Sequence, residues 1–135
     1  VVLVEFGGND ATPEQDRHVS LEEFHENLHR MSGLIGEATG ARRILLTFPP
    51  IVNAWHGWTG NALFDGFGGP DGYVEQYREV TRAYARDHGL MLIDIDKVLR
   101  DAMANHGAET YIMRDGVHLT EDGNVVVAQA IMQLL

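Results

Sequence analysis

Three short apolar runs, each followed by a stretch of helical periodicity, limit what this chain can fold into more than any other feature. Val1-Val2-Leu3-Val4 is continuous and mostly β-branched, the pattern of a strand buried on both faces of a parallel sheet. Arg43-Ile44-Leu45-Leu46-Thr47-Phe48 and Leu90-Met91-Leu92-Ile93-Asp94-Ile95 repeat that pattern. Helical segments lie between and after them, so the order reads β-α-β-α-β-α-α. Strands alternating with helices predict an α/β fold, a parallel sheet joined by right-handed crossovers.

The helices carry their own punctuation. Ser20-Leu21-Glu22-Glu23 is a capping box, in which the serine hydroxyl and Glu23 satisfy each other's free backbone N–H groups. Leu21, Phe24, Leu28, Met31 and Ile35 follow as one apolar stripe, and Gly40 is the expected stop. Pro49-Pro50 ends the second strand, because proline cannot donate to a ladder. Residues 53–72 have no periodicity and are rich in glycine and aromatics, which predicts a long ordered loop of the kind that forms binding sites or lids. A second helix starts at Asp71 or Gly72, buries Tyr73, Tyr77, Val80 and Tyr84, and stops at His88-Gly89. Asp96 is expected to cap a third helix, holding Val98, Leu99 and Met103 and ending near Gly107. Tyr111-Ile112-Met113 reads as a short extended piece and residues 114–119 as a loop. Thr120 caps the last helix, whose buried side is Val127, Ala130, Ile131 and Leu134.

With 135 residues and 15.0 kDa the chain has the length of one domain. Its formal charge of -10 comes with no basic run, which argues against a nucleic-acid partner. No apolar stretch is long enough to span a bilayer as a helix. The absence of cysteine excludes disulfides, thiolate zinc sites and a cysteine nucleophile. Compartment stays open, with the cytoplasm slightly favoured. The chain opens at Val1, inside an apolar run and without a Met. Its first strand, apolar on both faces, would be an exposed sheet edge, which natural proteins avoid. Both observations lead to the expectation that further strands precede it.

Ligands bind open α/β sheets at the carboxyl ends of the strands. Gly8-Asn9-Asp10 follows the first strand, and Asp115-Gly116-Val117-His118 precedes the last helix. An Asp and a His three apart around a turn can pair, so that the carboxylate sets the imidazole tautomer and leaves the other ring nitrogen as a general base. An asparagine amide at a strand end can donate to a developing oxyanion. Base, orienter and oxyanion donor are three parts of an acyl-transfer site; the nucleophile is the missing part. Each group alone is also ordinary turn chemistry. Their joint placement on a parallel-sheet pattern favours the catalytic reading.

On these residues the chain resembles the SGNH (GDSL-type) hydrolases, esterases and lipases built on a three-layer flavodoxin-like sheet. Phe6-Gly7-Gly8-Asn9-Asp10 is similar to that family's Gly-x-Asn-Asp block, and Asp115-Gly116-Val117-His118-Leu119-Thr120 to its Asp-x-x-His block. Leu3 to Asn27 and the Phe48-Pro49-Pro50 turn look most like the isoamyl-acetate-hydrolysing branch. The resemblance spans the whole chain. It implies His118 as base, Asp115 as its orienter and Asn9 as oxyanion donor. It also implies a substrate site near Gly8, Val117, Trp55 and Trp58, with no cofactor and no metal. The family's Gly-Asp-Ser block and the glycine block after the second strand do not occur here. Ser20 is explained as a cap and Ser32 as a position within the same helix. Residues 1–135 are therefore expected to be the C-terminal portion of a single domain of this type. The missing N-terminal segment, or a second copy of the chain, is the expected partner, besides a small ester substrate.

Two competing readings accompany this one. The absent serine also fits a non-catalytic α/β module that binds a ligand or partner. His25-Glu26-Asn27-Leu28-His29 matches H-E-x-x-H, the signature of zinc hydrolases. However, Ser32 and Ile35 stand where the extended form of that signature has glycine and a third histidine. In the aromatic loop, Trp55, Trp58, Phe64 and Phe67 either shape a pocket or serve as loop core. Two or three are expected to be core and at least one to line a site.

Overall fold

The computed structural model describes residues 1–135. It contains strands β1 (Val2–Glu5), β2 (Arg43–Leu46) and β3 (Met91–Ile93), and helices α1 (Leu21–Thr39), α2 (Pro70–Asp87), α3 (Ile95–His106), α4 (Ala108–Tyr111) and α5 (Glu121–Leu134). The sheet is parallel in the order β1-β2-β3, with Val4 opposite Leu45 and Leu45 opposite Leu92. The chain forms two compact units. The first holds residues 1–48 and 74–93; the second holds residues 49–73 and 94–135.

In the first unit the sheet is central. β2 lies between two neighbours and buries Ile44, Leu45 and Leu46, as a strand covered on both faces should. β1 pairs only with β2, so its other edge is free, and Leu3 stays exposed. α1 starts where Ser20 Oγ accepts from the Glu23 N–H (3.2 Å) and stops at Gly40 in the left-handed region (φ 61°). Only the serine half of the expected capping box forms. The buried stripe of α1 is Phe24, Leu28 and Ser32, at spacing four. Met31 and Ile35 fall beside it, half-exposed, where they line a groove of about 360 Å³ with Val2, Leu3, Val4, Phe6 and Leu34. From α2 the first unit takes Val74, Tyr77, Arg78, Thr81, Tyr84 and Ala85 as its buried face. Arg78 is buried but paired: its Nε donates to the Phe48 carbonyl and its Nη1 to Glu75 (both 2.9 Å).

The second unit is built from α3, α4, α5 and the ordered loop. The loop is organised by Asn53. Its Nδ2 donates to the Gly68 carbonyl (2.7 Å), and its Oδ1 accepts from the Asp71 N–H (2.8 Å). Asp71 in turn accepts from the Ile51 N–H (2.8 Å) and from Arg100 (2.7 Å). Loop length alone hides this order; one asparagine supplies it. α3 is capped by Asp94, which accepts from the Lys97 N–H (3.2 Å), and not by Asp96. Asp96 sits inside the helix, buried and bonded to Arg100 (2.9 Å). The expected extended piece at Tyr111 is instead the end of α4. Only Ile112 is extended, in an antiparallel bridge with Leu119. Thr120 caps α5 as expected, accepting from the Gly123 N–H (3.1 Å). Val127, Ala130, Ile131 and Leu134 are half-buried there.

Candidate active site

The turn between the Ile112–Leu119 bridge and α5 is held by one carboxylate. Oδ1 of Asp115 accepts from the backbone N–H groups of Val117 and His118 (both 3.0 Å), which closes the turn. Its Oδ2 lies 2.6 Å from His118 Nδ1. The Val117 N–H, then the bond from the His118 ring and then the His118 N–H hold the Asp115 carboxyl down to about 2. The carboxylate is thus charged and acceptor-only, so Nδ1 of His118 is the donor and Nε2 is left with a lone pair. Nε2 has no protein partner, and the His118 side chain is 75% exposed. Such a pair can take a proton at Nε2 while the carboxylate stabilises the imidazolium.

Gly116 sets the turn against the aromatic loop. Its φ is +80°, a conformation that L side chains avoid, and a Cβ there would meet the Val52 carbonyl and the His56 N at 2.8 Å. The Val52 N–H donates to the Gly116 carbonyl (2.8 Å), and the Met113 N–H to the His118 carbonyl (2.7 Å). Residues 52–56 therefore pack directly on the Asp-x-x-His turn. The guanidinium of Arg114 lies 4.6 Å over the Trp55 ring. Trp58 stacks on Phe64 (5.8 Å, 17°) and meets the His56 ring edge-on (4.7 Å). Phe64 is buried and packs on Tyr73, so it is loop core; Phe67 covers the same tyrosine from an exposed position. Trp55 and Trp58 are half-buried beside the turn.

His56 is the residue that sequence reasoning passed over. Nothing in its spacing marks it; only its place in the loop after a Pro-ended strand could have. Burial lowers its proton affinity; Asp115 opposes that and His118 adds to it.

Gly8 and Asn9 belong to the first unit. Gly8 is buried against Phe48, with a Cβ position 2.1 Å from that ring, so only glycine fits. Asn9 opens a single 3-10 turn (Asn9–Ala11) after β1. The Gly7 N–H donates to Asp10 Oδ2 (2.9 Å), which fixes the turn. The Asn9 carboxamide is exposed and hydrogen-bonds to no protein group. Both serines lie in the first unit, Ser20 engaged as a cap and Ser32 buried in α1.

The histidines of His25-Glu26-Asn27-Leu28-His29 lie against Tyr84, at ring distances of 5.6 and 6.2 Å. Nδ1 of His29 is 3.3 Å from the Tyr84 hydroxyl. No group of three or more His, Cys, Asp or Glu is arranged to hold a metal ion, there or elsewhere.

A model of the GDSL-like Lipase/Acylhydrolase family matches residues 1–126. The GDSL esterase/lipase WDL1 of Oryza sativa subsp. japonica is 24% identical over 142 residues, covering 100% of this chain and 53% of that protein. A lipase/acylhydrolase from Enterococcus faecalis has a TM-score of 0.72 at 24% identity, covering 97% of this chain and 58% of its own. Axe2, an acetylxylan esterase from Geobacillus stearothermophilus, has a TM-score of 0.72 at 17% identity, with 97% and 57% covered. The chain thus spans little more than half the length of these relatives, and the structural neighbours share its parallel α/β fold.

Proposed function

Because the chain belongs to the GDSL-like lipase/acylhydrolase family, we propose that it carries the base and oxyanion parts of a serine carboxylic-ester hydrolase. The observation that carries this reading is the 2.6 Å bond between Asp115 and His118 Nδ1, with Nε2 free and exposed. In the reaction, Nε2 of His118 removes the proton from a serine hydroxyl as it attacks the ester carbonyl. The same nitrogen then gives that proton to the leaving alcohol. Water repeats the sequence on the acyl-enzyme, and the carboxylic acid leaves. Asp115 holds the tautomer and balances the imidazolium. The free Asn9 carboxamide donates to the tetrahedral oxyanion.

The serine is assigned to polypeptide outside these residues, because Ser20 caps α1 and Ser32 is buried within it. Axe2 supports a serine and an aspartate in such a site: catalytic mutants of it, with each replaced by alanine, have been solved. The free edge of β1 and its apolar flank, where Leu3, Phe6 and Leu34 are exposed, suit a further strand-bearing segment. The substrate is a small, acetyl or short-chain ester. Axe2, an acetylxylan esterase, supports the acetyl preference. Trp55 and Trp58, half-buried in the loop that packs on the Asp115–His118 turn, are the candidates to flank the acyl or alcohol group, with Val117 in the turn itself.

The test is burst release of p-nitrophenol from p-nitrophenyl acetate by the intact, serine-bearing protein. His118→Ala is expected to abolish the burst; a burst of unchanged rate would remove His118 from the mechanism. The capping role of Ser20 and the burial of Ser32 also favour a second reading, a binding module without catalysis, which predicts no burst in the parent protein.

A further inference from the structure

We infer that His56 is a positioning residue of this site, an imidazole held in the Nε2–H tautomer that presents its N–H to an oxygen of the bound ester. The inference rests on the proposal that His118 serves an ester substrate, and adds to it a hydrogen-bond donor on the neighbouring loop.

The tautomer follows from geometry. The Trp58 backbone N–H donates to His56 Nδ1 (3.2 Å), and a backbone N–H can only donate. Nδ1 is therefore the lone-pair nitrogen, and the proton of the neutral ring is on Nε2. The ring is braced on its other side by the Trp58 indole at 4.7 Å and 78°. The backbone of His56 is fixed as well. Its N–H bonds to the carbonyls of Val52 and Asn53 (3.2 and 3.3 Å). Its N and Cα lie 2.8 and 3.1 Å from where a Gly116 Cβ would be. Gly116 is the second residue of the turn that carries Asp115 and His118, so the two imidazoles are mounted on one rigid contact. His56 Nε2 has no hydrogen-bond partner within the protein, although the ring is half-buried.

Burial favours the neutral ring. Asp115 pulls the other way and His118 adds to burial, which prevails over Asp115. A neutral imidazole in this place differs from His118 in kind. Asp115 makes His118 a proton acceptor at Nε2, while the Trp58 N–H makes His56 a proton donor at Nε2. A donor on the loop and a base on the turn it packs against suit a substrate whose oxygen must be oriented while a proton moves at His118.

Two experiments test this. Long-range ¹H–¹⁵N spectra of the imidazoles, recorded on this chain at neutral pH, report each tautomer without any need for activity. His56 is expected to show a protonated Nε2 and an unprotonated Nδ1; the reverse pattern overturns the inference. The second experiment is kinetics of p-nitrophenyl acetate hydrolysis by the intact, serine-bearing protein. His56→Phe keeps the ring and removes the donor, and is expected to raise KM by about tenfold or more, as for one lost hydrogen bond, with a smaller change in kcat. His56→Gln restores an N–H near Nε2 and is expected to recover most of the KM. Equal KM in His56→Phe and the parent overturns the inference, as does a loss that His56→Gln fails to recover. A parent protein without esterase activity refutes the ester reading itself, and the spectra then decide the tautomer on their own.

Discussion

At the scale of single residues, the site rests on which nitrogen of each imidazole is occupied. His118 has Nδ1 on a carboxylate and His56 has Nδ1 under a backbone N–H, so identical side chains become an acceptor and a donor. The sequence makes the first of these legible, since Asp-x-x-His places the partner within a turn. The second depends on a loop conformation that no spacing encodes. Asn9 stands out in sequence by its position after a strand, and its exposed carboxamide makes no hydrogen bond within the protein, which leaves it available for the proposed oxyanion role. In the serine-bearing protein Asn9→Ala is expected to lower kcat by about a hundredfold or more, the usual cost of an oxyanion donor, with KM nearly unchanged. Steady-state kinetics on p-nitrophenyl acetate checks it, and an unchanged kcat would remove Asn9 from the mechanism.

At the scale of elements, the turn at residues 112–120 is the best example of a local sequence with one structural solution. Ile112 and Leu119 bridge it, Gly116 supplies its positive φ, Thr120 starts α5, and Asp115 receives two backbone N–H groups within it. Asp115 consequently links the turn to acid stability. Its folded-state affinity for protons is depressed, to about 2 from an ordinary 3.8. Its contribution is complete above about 3.8 and is lost as pH falls through about 2. The side chain is 45% exposed, so solvent screening keeps the effect modest. Asp115→Asn is expected to flatten the decline in stability between about pH 4 and pH 2, read as urea midpoints at several pH values. An unchanged acid slope would contradict the assigned hydrogen bonds. Where elements depart from the pattern, the reasons are local. Asp94 and Asp96 are both plausible caps, and only the path of the chain after β3 selects the first. The α1 stripe was read through Met31 and Ile35, but the helix turns Ser32 inward and leaves those two residues on the flank of β1.

At the scale of the whole molecule, the alternation of strands and helices sufficed to predict a parallel sheet, and the order β1-β2-β3 agrees with it. β1, whose run reads as buried on both faces, has a free edge and an exposed Leu3. That mismatch between pattern and environment is the physical argument for a further segment beside β1. It joins the roughly half length that the chain spans of the relatives it matches, the capping role of Ser20 and the burial of Ser32. The three observations are independent and support the proposed account, an Asp115–His118 base acting on a serine that these residues do not contain. The most direct test is intact-mass analysis and adduct mapping of the whole gene product after treatment with a fluorophosphonate, with His118→Ala alongside. The account predicts one phosphonyl adduct on a serine outside these 135 residues, greatly slowed in His118→Ala. An adduct on Ser20 or Ser32, or labelling indifferent to His118, would contradict it.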